Sequence, residues 1–415
     1  MEILRVVNRL IGILFACCYF YQIFYIIVPW LWKRKKAERT DMSNRYAVLI
    51  CARNEEIVIA DLIKSLKQQT YKLDHLQIFV LADNSTDHTA SIAASAGAKV
   101  YERWDQTHVG KGYALETLLQ NISEDYPEGF DGYFVFDADN VLRADFIEQM
   151  DRVFSEGHDI ITSYRNSKNF GENWISAGYA LWFLRESRYL NNARFLLGTS
   201  CAVSGTGFLF SRRVLEESGG WPYHTLIEDI EFSIDQITGG RKIAFCEDAE
   251  LYDEQPVTFR QSWRQRMRWA RGYLQVFRWY GVRLIKGALK GSFSCFDMSL
   301  TIMPAFILSA LSIISNLVLS IWGACLGEDG MIAVSSIADH FCKFYLGLFG
   351  MGLITAVTEW KHIHTSTVKK ILYVFTFPLF MFTYLPIAFV SLFSNPGWKP
   401  IRHSSTFVPE DITDK

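Results

Sequence analysis

The chain has 415 residues, of which 50% are hydrophobic and 21% are charged, and its formal net charge is -2. This composition excludes a disordered chain, and the length suffices for one large domain or two smaller ones. The small net charge gives no global attraction to nucleic acid, so we expect no nucleic-acid partner. The eight cysteines lack paired spacing, which indicates free thiols in a reducing compartment.

The first apolar stretch, residues 9–32, predicts one transmembrane helix. It is long enough to cross a hydrocarbon core of roughly 30 Å and too long for the core of a cleaved signal peptide. The basic run KRKK follows at residues 33–36, and such runs stay on the cytoplasmic side. We therefore predict a protein of the cell (plasma) membrane whose next domain is cytoplasmic.

Residues 44–255 alternate between short β-rich runs and amphipathic segments. YAVLICA, QIFVLAD and YFVFDAD are typical of buried strands, and the segments between them have helical periodicity. This alternation predicts an α/β fold with a mainly parallel sheet covered by helices. Because ligands bind such sheets beyond the carboxyl ends of the strands, the polar segments LADNSTD and FDADN mark the expected site.

Residues 256–292 are rich in arginine and aromatic residues, a composition that predicts amphipathic helices in the membrane interface. The apolar region 296–394 follows and predicts a multi-pass protein. Its three apolar stretches lie near residues 296–322, 334–358 and 371–394.

One link and two prolines bear on the topology of the apolar region. The link that holds Glu328 and Asp329 is predicted to be external. Pro378 and Pro386 could break the last stretch, so the sequence leaves open on which side of the membrane the tail, residues 395–415, lies.

The segment FVFDADN carries two carboxylates, Asp137 and Asp139, at the end of a predicted strand. Both could approach one divalent ion or the phosphates that it bridges, and hard oxygen ligands suit Mg²⁺ or Mn²⁺. The alternative is that the two acids only cap the following helix.

Two further segments indicate a nucleotide. LADNSTDHT places Asp83 at another strand end, and HVGKGYAL places Lys111 at a loop-to-helix junction. A carboxylate can accept the N3 proton of uracil, and a lysine can face the base or phosphates. Alone, Lys111 could equally be a solvated turn residue.

The acid pair Glu228 and Asp229 precedes a predicted helix. Asp229 could act as the general base that removes a proton from an acceptor hydroxyl. The simpler alternative is a helix cap, because acidic residues are common in first helical turns.

In WRQRMRW, Gln265, Arg268 and Trp269 occupy one helix face by their spacing. Arg268 could stabilise a departing diphosphate, Gln265 could bond to sugar or phosphate, and Trp269 could stack on a sugar. A basic aromatic anchor on lipid headgroups explains the same residues.

The ordered set CARNEE, LADNSTDHT, VGKGYAL, DADN, IED and QRMRW, framed by apolar helices, resembles the membrane-bound family 2 glycosyltransferases. Cellulose, hyaluronan, chitin and poly-N-acetylglucosamine synthases are members of that family. The resemblance covers about residues 45–280. Two departures are Ile227, where many relatives have threonine, and Ala52, where many have proline.

The resemblance implies a GT-A nucleotide-sugar-binding fold, a UDP-sugar donor, Mg²⁺ or Mn²⁺, and inversion at the anomeric carbon. It implies that Asp229 is the base and that Asp137 and Asp139 hold the metal. The residues expected at the nucleotide are Glu55, Asp83, Lys111 and Asp137. The residues expected at the acceptor or diphosphate are Glu228, Gln265, Arg268, Trp269, Ser204, Gly205 and Thr206.

The function predicted first is processive transfer of glucose or N-acetylglucosamine to a growing β-linked polysaccharide at the lipid bilayer. The alternative is transfer of one or a few sugars to a lipid acceptor. The single N-terminal helix and compact apolar region indicate that export could need a homo-oligomer or a partner. A transporter or inactive sensor has its best support in the ionisable residues of the second apolar stretch, Asp339, His340 and Lys343.

Overall fold

The computed structural model describes residues 2–327, 330–394, 397 and 403. The predicted link at Glu328 and Asp329, and the whole predicted tail except Gly397 and His403, lie outside the described residues. The chain divides into two compact units. Of the described residues, the first comprises 2–27, 170–182, 257–327 and 330–394, and the second comprises 28–169, 183–256, 397 and 403.

The second unit is built on one eight-stranded sheet with the order β3-β2-β1-β4-β7-β6-β8-β5. The strands are β1 (Tyr46–Ala52), β2 (Leu76–Asp83), β3 (Lys99–Arg103), β4 (Gly132–Asp137), β5 (Val141–Leu142), β6 (Ile160–Ser167), β7 (Phe208–Ser211) and β8 (Ala244–Asp253). Pairs β1–β2, β1–β4, β2–β3 and β6–β8 are parallel, while β4–β7, β6–β7 and β5–β8 are antiparallel. The predicted α/β fold with a mainly parallel sheet is confirmed.

The helices alternate with the strands in the first half of the chain and follow one another in the second. They are α1 (Glu2–Tyr19), α2 (Tyr21–Leu31), α3 (Ile59–Lys67), α4 (Thr89–Ser95), α5 (Lys111–Asp125), α6 (Phe146–Ser155), α7 (Trp174–Arg185), α8 (Asn192–Leu196), α9 (Arg212–Glu217), α10 (Glu228–Thr238), α11 (Phe259–Leu289), α12 (Phe293–Ile302), α13 (Pro304–Cys325), α14 (Gly330–Thr358), α15 (Thr367–Phe382) and α16 (Tyr384–Ser391). A 3-10 turn (Leu73–His75) precedes β2, and a π-helical segment (Glu186–Asn191) joins α7 to α8.

The core of the sheet unit follows from the apolar patterns. Strand β1 has buried side chains at every position except Cys51, which is half-buried. Helix α3 buries Ile59, Leu62, Ile63 and Leu66 against the sheet, as their helical spacing predicts. Burial of such side chains supplies most of the free energy that holds helix and sheet together.

A buried carboxylate ties the start of the sheet to helix α6. Asp151 is fully buried and accepts hydrogen bonds from the hydroxyls of Tyr46 at 2.6 Å and Tyr71 at 3.2 Å. The amide of Asn44 also donates to it at 2.8 Å. The sheet therefore has a fixed amino-terminal edge, opposite the carboxyl ends that carry the polar motifs.

Among the described residues, three helical stretches have the length and hydropathy to cross a membrane. They are Glu2–Leu31, Ile337–Thr358 and Thr367–Ser391. The first begins at Glu2 rather than residue 9. The predicted stretch 296–322 is divided at Met303, where Pro304 opens α13, since proline is favoured in the first turn of a helix.

Polar side chains form pairs both between and within the helices of the first unit. The side-chain amides of Asn8 and Asn316 bond reciprocally at 2.9 and 2.8 Å and connect α1 to α13. Asp339 and Lys343 form an ion pair of 2.7 Å within α14, and both are exposed. The side chain of His340 lies outside the described residues.

Candidate active site

The carboxyl ends of β2, β1 and β4 lie side by side, which brings the predicted polar motifs to one edge of the sheet. Cys51 at the end of β1 pairs in register with Asp137 at the end of β4. Ala52 pairs with Ala82, the residue before Asp83. The order of the strands changes direction at β1, and this is where open α/β sheets bind their ligands.

The two predicted metal carboxylates lie at the end of β4 and in the tight turn that follows it. The backbone amide of Asp137 donates to the Thr206 hydroxyl at 2.9 Å, and the Asn140 amide donates to the Asp137 carbonyl at 3.1 Å. Asp139 accepts a hydrogen bond from the backbone amide of Glu254 at 2.9 Å. The side chain of Asp137 is 39% exposed and that of Asp139 only 9%, so Asp137 is the more accessible to a ligand.

Lys111 opens helix α5 and binds the first of these carboxylates. Its ammonium group forms an ion pair with Asp137 and donates to the Gly205 carbonyl at 2.7 Å. Burial lowers the pKa of Lys111, but the carboxylates of Asp137 and Glu228 raise it by more, so the net shift is upward. The lysine is therefore charged at the diphosphate side of the predicted site.

The second glycine in VGKGYAL, Gly112, is required by a close contact with another segment. A Cβ at this position would lie 2.0 Å from the carbonyl oxygen of Tyr223. Only glycine allows helix α5 to approach the loop before α10 so closely. This contact holds the segment that carries Glu228 and Asp229 against the segment that carries Lys111.

Of the two acids predicted to contact the base, Asp83 is buried and Glu55 is half-buried. Asp83 accepts hydrogen bonds from the Arg103 guanidinium at 2.7 Å and from the Asn84 side-chain amide at 3.0 Å. Burial raises the pKa of Asp83 despite these contacts. Glu55 is held by a backbone hydrogen bond to the Thr89 hydroxyl at 2.8 Å, and burial raises its pKa to about 8.

The predicted base Asp229 lies in the first turn of α10. Its Oδ2 atom lies 3.7 Å from the point that a Cβ on Gly205 would occupy. The Asp229 carbonyl accepts a hydrogen bond from the Ser233 hydroxyl at 2.9 Å, and this hydroxyl in turn accepts one from the Val203 amide at 2.9 Å. Gly205 is thus next to both the Lys111 ammonium and the Asp229 carboxylate.

The predicted acceptor segment, residues 204–206, is fixed by polar side chains from other parts of the chain. The Ser204 hydroxyl donates to Glu186 at 2.7 Å, and Arg165 donates to the Ser204 carbonyl at 2.8 Å. Arg165 is also paired with Asp253 at 2.7 Å. Glu186 begins the π-helical segment, and such irregular turns are frequent at functional sites.

The structure adds one residue from the predicted tail. The His403 imidazole lies 3.3 Å from a Glu254 carboxylate oxygen, 3.6 Å from Glu55 and 3.9 Å from Asp139. Burial lowers the pKa of His403, but the Glu254 hydrogen bond and the Asp139 and Glu55 carboxylates outweigh it and raise the pKa to about 9. No local signal in the sequence connects this histidine to the site.

The chemistry of the turn fits a hard divalent cation. No group of three or more His, Cys, Asp or Glu side chains in the described part of the chain is arranged to hold a metal ion by itself. Asp137 nevertheless offers carboxylate oxygens beside the Lys111 cation, and Asp139 offers a second carboxylate two residues later in the same turn. Mg²⁺ is commonly held by one or two carboxylates and completed by substrate phosphates.

The remaining predicted site residues, Gln265, Arg268 and Trp269, lie on α11 in the first unit. The Trp269 ring packs edge-on against Tyr179 at 5.8 Å between centroids. The neighbouring Arg266 is fully buried and donates to the Thr383 hydroxyl at 2.6 Å. The role of these three residues toward a donor or acceptor stays a prediction.

Relatives and one solved structure resemble this chain. Probable glycosyltransferase YdaM of Bacillus subtilis (strain 168) is 28% identical over 257 residues, 58% of this chain and 57% of that protein. Beta-monoglucosyldiacylglycerol synthase of Nostoc sp. (strain PCC 7120 / SAG 25.82 / UTEX 2576) is 26% identical over 279 residues, 64% of this chain and 57% of that protein. The matches thus span little more than half the length of these relatives.

Among solved structures, the mannosyltransferase PcManGT from Pyrobaculum calidifontis, in complex with GDP-Man and Mn²⁺, is similar with a TM-score of 0.58. It is 16% identical, and the match covers 93% of this chain and 98% of that one. This likeness supports the predicted GT-A-type fold. The family model described as glycosyltransferase like family 2 matches residues 44–272, more than half of the chain. The chain therefore belongs to the glycosyltransferase like family 2.

Proposed function

We propose that this protein is an inverting glycosyltransferase that transfers a hexose, glucose or N-acetylglucosamine, from a UDP-sugar to a hydroxyl acceptor at the membrane. The observation that carries this proposal is the convergence on Gly205. Its carbonyl accepts a hydrogen bond from Lys111, whose ammonium also pairs with Asp137, and its α-carbon lies next to the Asp229 carboxylate. A cation for the diphosphate and a base for the acceptor are thereby close together.

In the proposed reaction the carboxylate of Asp229 accepts the proton of the acceptor hydroxyl. At the same time the oxygen of that hydroxyl attacks the anomeric carbon of the donor sugar. The bond from that carbon to the diphosphate oxygen breaks on the opposite face, so the configuration inverts from α to β. Lys111 holds positive charge beside the diphosphate, and Arg268 would contribute further charge. Preorganised charge at a leaving group is commonly the largest contribution to such rate enhancements.

A divalent cation, Mg²⁺ or Mn²⁺, is proposed at Asp139 and Asp137, where it would neutralise charge that develops on the diphosphate. Asp139 is oriented for this role by the Glu254 backbone amide. Glu55 and Asp83 are proposed to face the nucleoside. Asp83 is buried at the end of β2, and the half-buried Glu55 follows β1, so both lie at the same edge of the sheet.

Two acceptors are compatible with this site. A growing β-linked polysaccharide is implied by the resemblance to the membrane-bound synthases, in which the pattern QxxRW, here Gln265, Arg268 and Trp269, accompanies processive synthesis. A lipid hydroxyl is supported by the relatives named beta-monoglucosyldiacylglycerol synthase, at 26% identity. The three candidate spans support a position in a membrane. The basic run at residues 33–36 supports placing the sheet unit in the cytoplasm, at the plasma membrane. Oligomerisation belongs to the polysaccharide alternative.

The decisive experiment is UDP release by the full-length protein in nanodiscs, with a panel of UDP-sugars, with Mn²⁺, Mg²⁺ or EDTA. The nanodiscs contain diacylglycerol or a β-linked oligosaccharide as acceptor, and the products are sized afterwards. We expect metal-dependent release with one donor. One or two sugars on lipid would establish the lipid acceptor and a long chain would establish processivity, whereas no release with any donor would contradict the proposal.

A further inference from the structure

Helix α11 is strongly basic over its whole length. Its 31 residues include seven arginines and one lysine, and it contains no aspartate or glutamate. The first half carries the QxxRW pattern. The second half carries a separate surface, the outer face of α11. This face consists of Arg278, Trp279, Val282, Arg283, Ile285, Lys286 and Leu289, together with Lys290, which follows the helix.

The apolar members of the outer face form one strip. Val282, Ile285 and Leu289 are spaced by three and four residues, so they share one side of the helix. They are 65%, 47% and 83% exposed. The opposite side of the same helix buries Val276 and Leu284 completely, so the helix has one packed side and one exposed apolar side.

The cations of the outer face lie beside this strip. At 100° per residue, Lys286 and Lys290 are on the same side as Trp279. Trp279 is 59% exposed, and Lys286 and Lys290 are exposed as well. A strip of aliphatic side chains bordered by a tryptophan and cations matches the boundary between hydrocarbon and headgroups.

Helix α11 also packs directly on a candidate membrane span. Met267 and Ala270 contact Ile387 in α16, which belongs to the stretch Thr367–Ser391. Arg271 donates to the Ser391 carbonyl at 3.4 Å. Because α11 is attached to a segment that can cross the bilayer, a lipid surface is its nearest available partner.

We infer that the outer face of α11 binds the surface of a bilayer that contains anionic lipids, with the aliphatic strip at the acyl boundary and the cations on the headgroups. The charge complementarity selects anionic over zwitterionic lipid, since zwitterionic headgroups offer no net attraction to four exposed cations. This surface interaction is independent of the sugar chemistry proposed above.

The test measures lipid retention rather than turnover, so its result does not depend on the proposed function. Full-length protein is reconstituted with equal parts of phosphatidylglycerol and phosphatidylcholine, extracted in mild detergent, and its bound lipids are counted by native mass spectrometry. The variant is R278Q/R283Q/K286Q/K290Q. The matched control is K64Q/K67Q/K72Q/K99Q, which removes four exposed cations from the sheet unit.

We expect wild type and control to retain phosphatidylglycerol in preference to phosphatidylcholine. In the α11 variant the ratio of the two retained lipids should fall by at least roughly tenfold. High salt should lower the preference of the wild type in the same direction, because salt screens exposed charges. Melting curves show whether the α11 variant is folded. A second variant, V282S/I285S/L289S, removes the aliphatic strip and should reduce retention of both lipids. The inference would be overturned if wild type retained the two lipids equally, or if the preference for phosphatidylglycerol survived in the α11 variant. Equal retention by wild type is the result expected if the outer face of α11 binds an acidic protein instead of lipid.

Discussion

The ammonium group of Lys111 and the carboxylate of Asp137 form an ion pair between the first turn of α5 and the end of β4. The lysine side chain is 14% exposed and the aspartate 39%, so the pair is only partly screened by water. The lysine that is predicted to face the nucleotide is therefore paired with a carboxylate that is proposed to hold the metal and diphosphate. It also connects three chain segments, because it donates to the Gly205 carbonyl.

The first prediction concerns this ion pair. K111M should lower the free energy of unfolding by about 1–3 kcal/mol, because it removes the cation beside Asp137 and the donor to the Gly205 carbonyl. Urea unfolding of the two proteins measures the difference. K64M, at an exposed position on α3, should change the unfolding midpoint little. Equal midpoints for K111M and wild type would contradict a stabilising pair.

The second prediction separates chemistry from binding at Asp229. D229N keeps the shape of the side chain but removes its ability to accept a proton. Sugar transfer should fall by about 10² to 10⁴-fold, the usual contribution of a general base, while the affinity for UDP stays unchanged. Calorimetry with UDP and a UDP-release assay give the two quantities.

Asp235 provides the matched control for that experiment. It lies on the same helix, and it accepts a hydrogen bond from the Tyr223 hydroxyl at 3.0 Å. D235N should therefore retain transfer. If D229N turns over as fast as D235N, Asp229 is a helix-cap residue and another group removes the proton.

Much of the fold could be predicted because its signals are local. Strands and helices repeat apolar residues at fixed spacing, as with Leu62 and Leu66 on α3. The meeting of Asp83 and Asp137 followed from the rule that parallel strands end at one edge of a sheet. Predicting that these two carboxylates lie close together required only the direction of the strands and no other long-range contact.

Other parts of the site depend on contacts between distant positions. Arg165 fixes the Ser204 carbonyl and pairs with Asp253, yet neither Arg165 nor Asp253 belongs to a motif with recognisable spacing. His403 contacts Glu55 from the far end of the chain. A single polar residue carries no periodicity, so only the folded chain reveals its partners.

The third prediction concerns the pH dependence of stability at Glu55. Burial raises the pKa of Glu55 from 4.5 to about 8. Between these values the folded protein keeps a proton that the unfolded chain releases. Stability should therefore fall as the pH rises through this interval and level off above it. E55Q, which cannot ionise, should show a flatter dependence.

Melting temperatures across this pH interval measure the difference between wild type and E55Q. E56Q is the control, because Glu56 is the neighbouring acid and accepts a backbone hydrogen bond from His88 at 3.0 Å. E56Q should keep the slope of the wild type. The same slope in E55Q would show that Glu55 is not the group that titrates.

The fourth prediction concerns His403 and a divalent cation. The imidazole lies within 4 Å of carboxylates from Glu55, Asp139 and Glu254. H403A removes the cation from this cluster, so repulsion between the carboxylates increases. Without metal the variant should melt below wild type. Added Mn²⁺ should then raise its melting temperature more than that of wild type, because the ion replaces the missing positive charge.

The measurement is a thermal melt of wild type and H403A in EDTA and in Mn²⁺. H88A is the matched control, since His88 is exposed, and it should show the metal response of wild type. A smaller response in H403A than in wild type would mean that the imidazole binds the ion together with the carboxylates rather than standing in for it. An identical response in all three proteins would mean that the tail histidine has no influence on the proposed metal site, and another cation, such as the buried Lys168 that interacts with Asp139 and Glu254, would then have to balance the carboxylates.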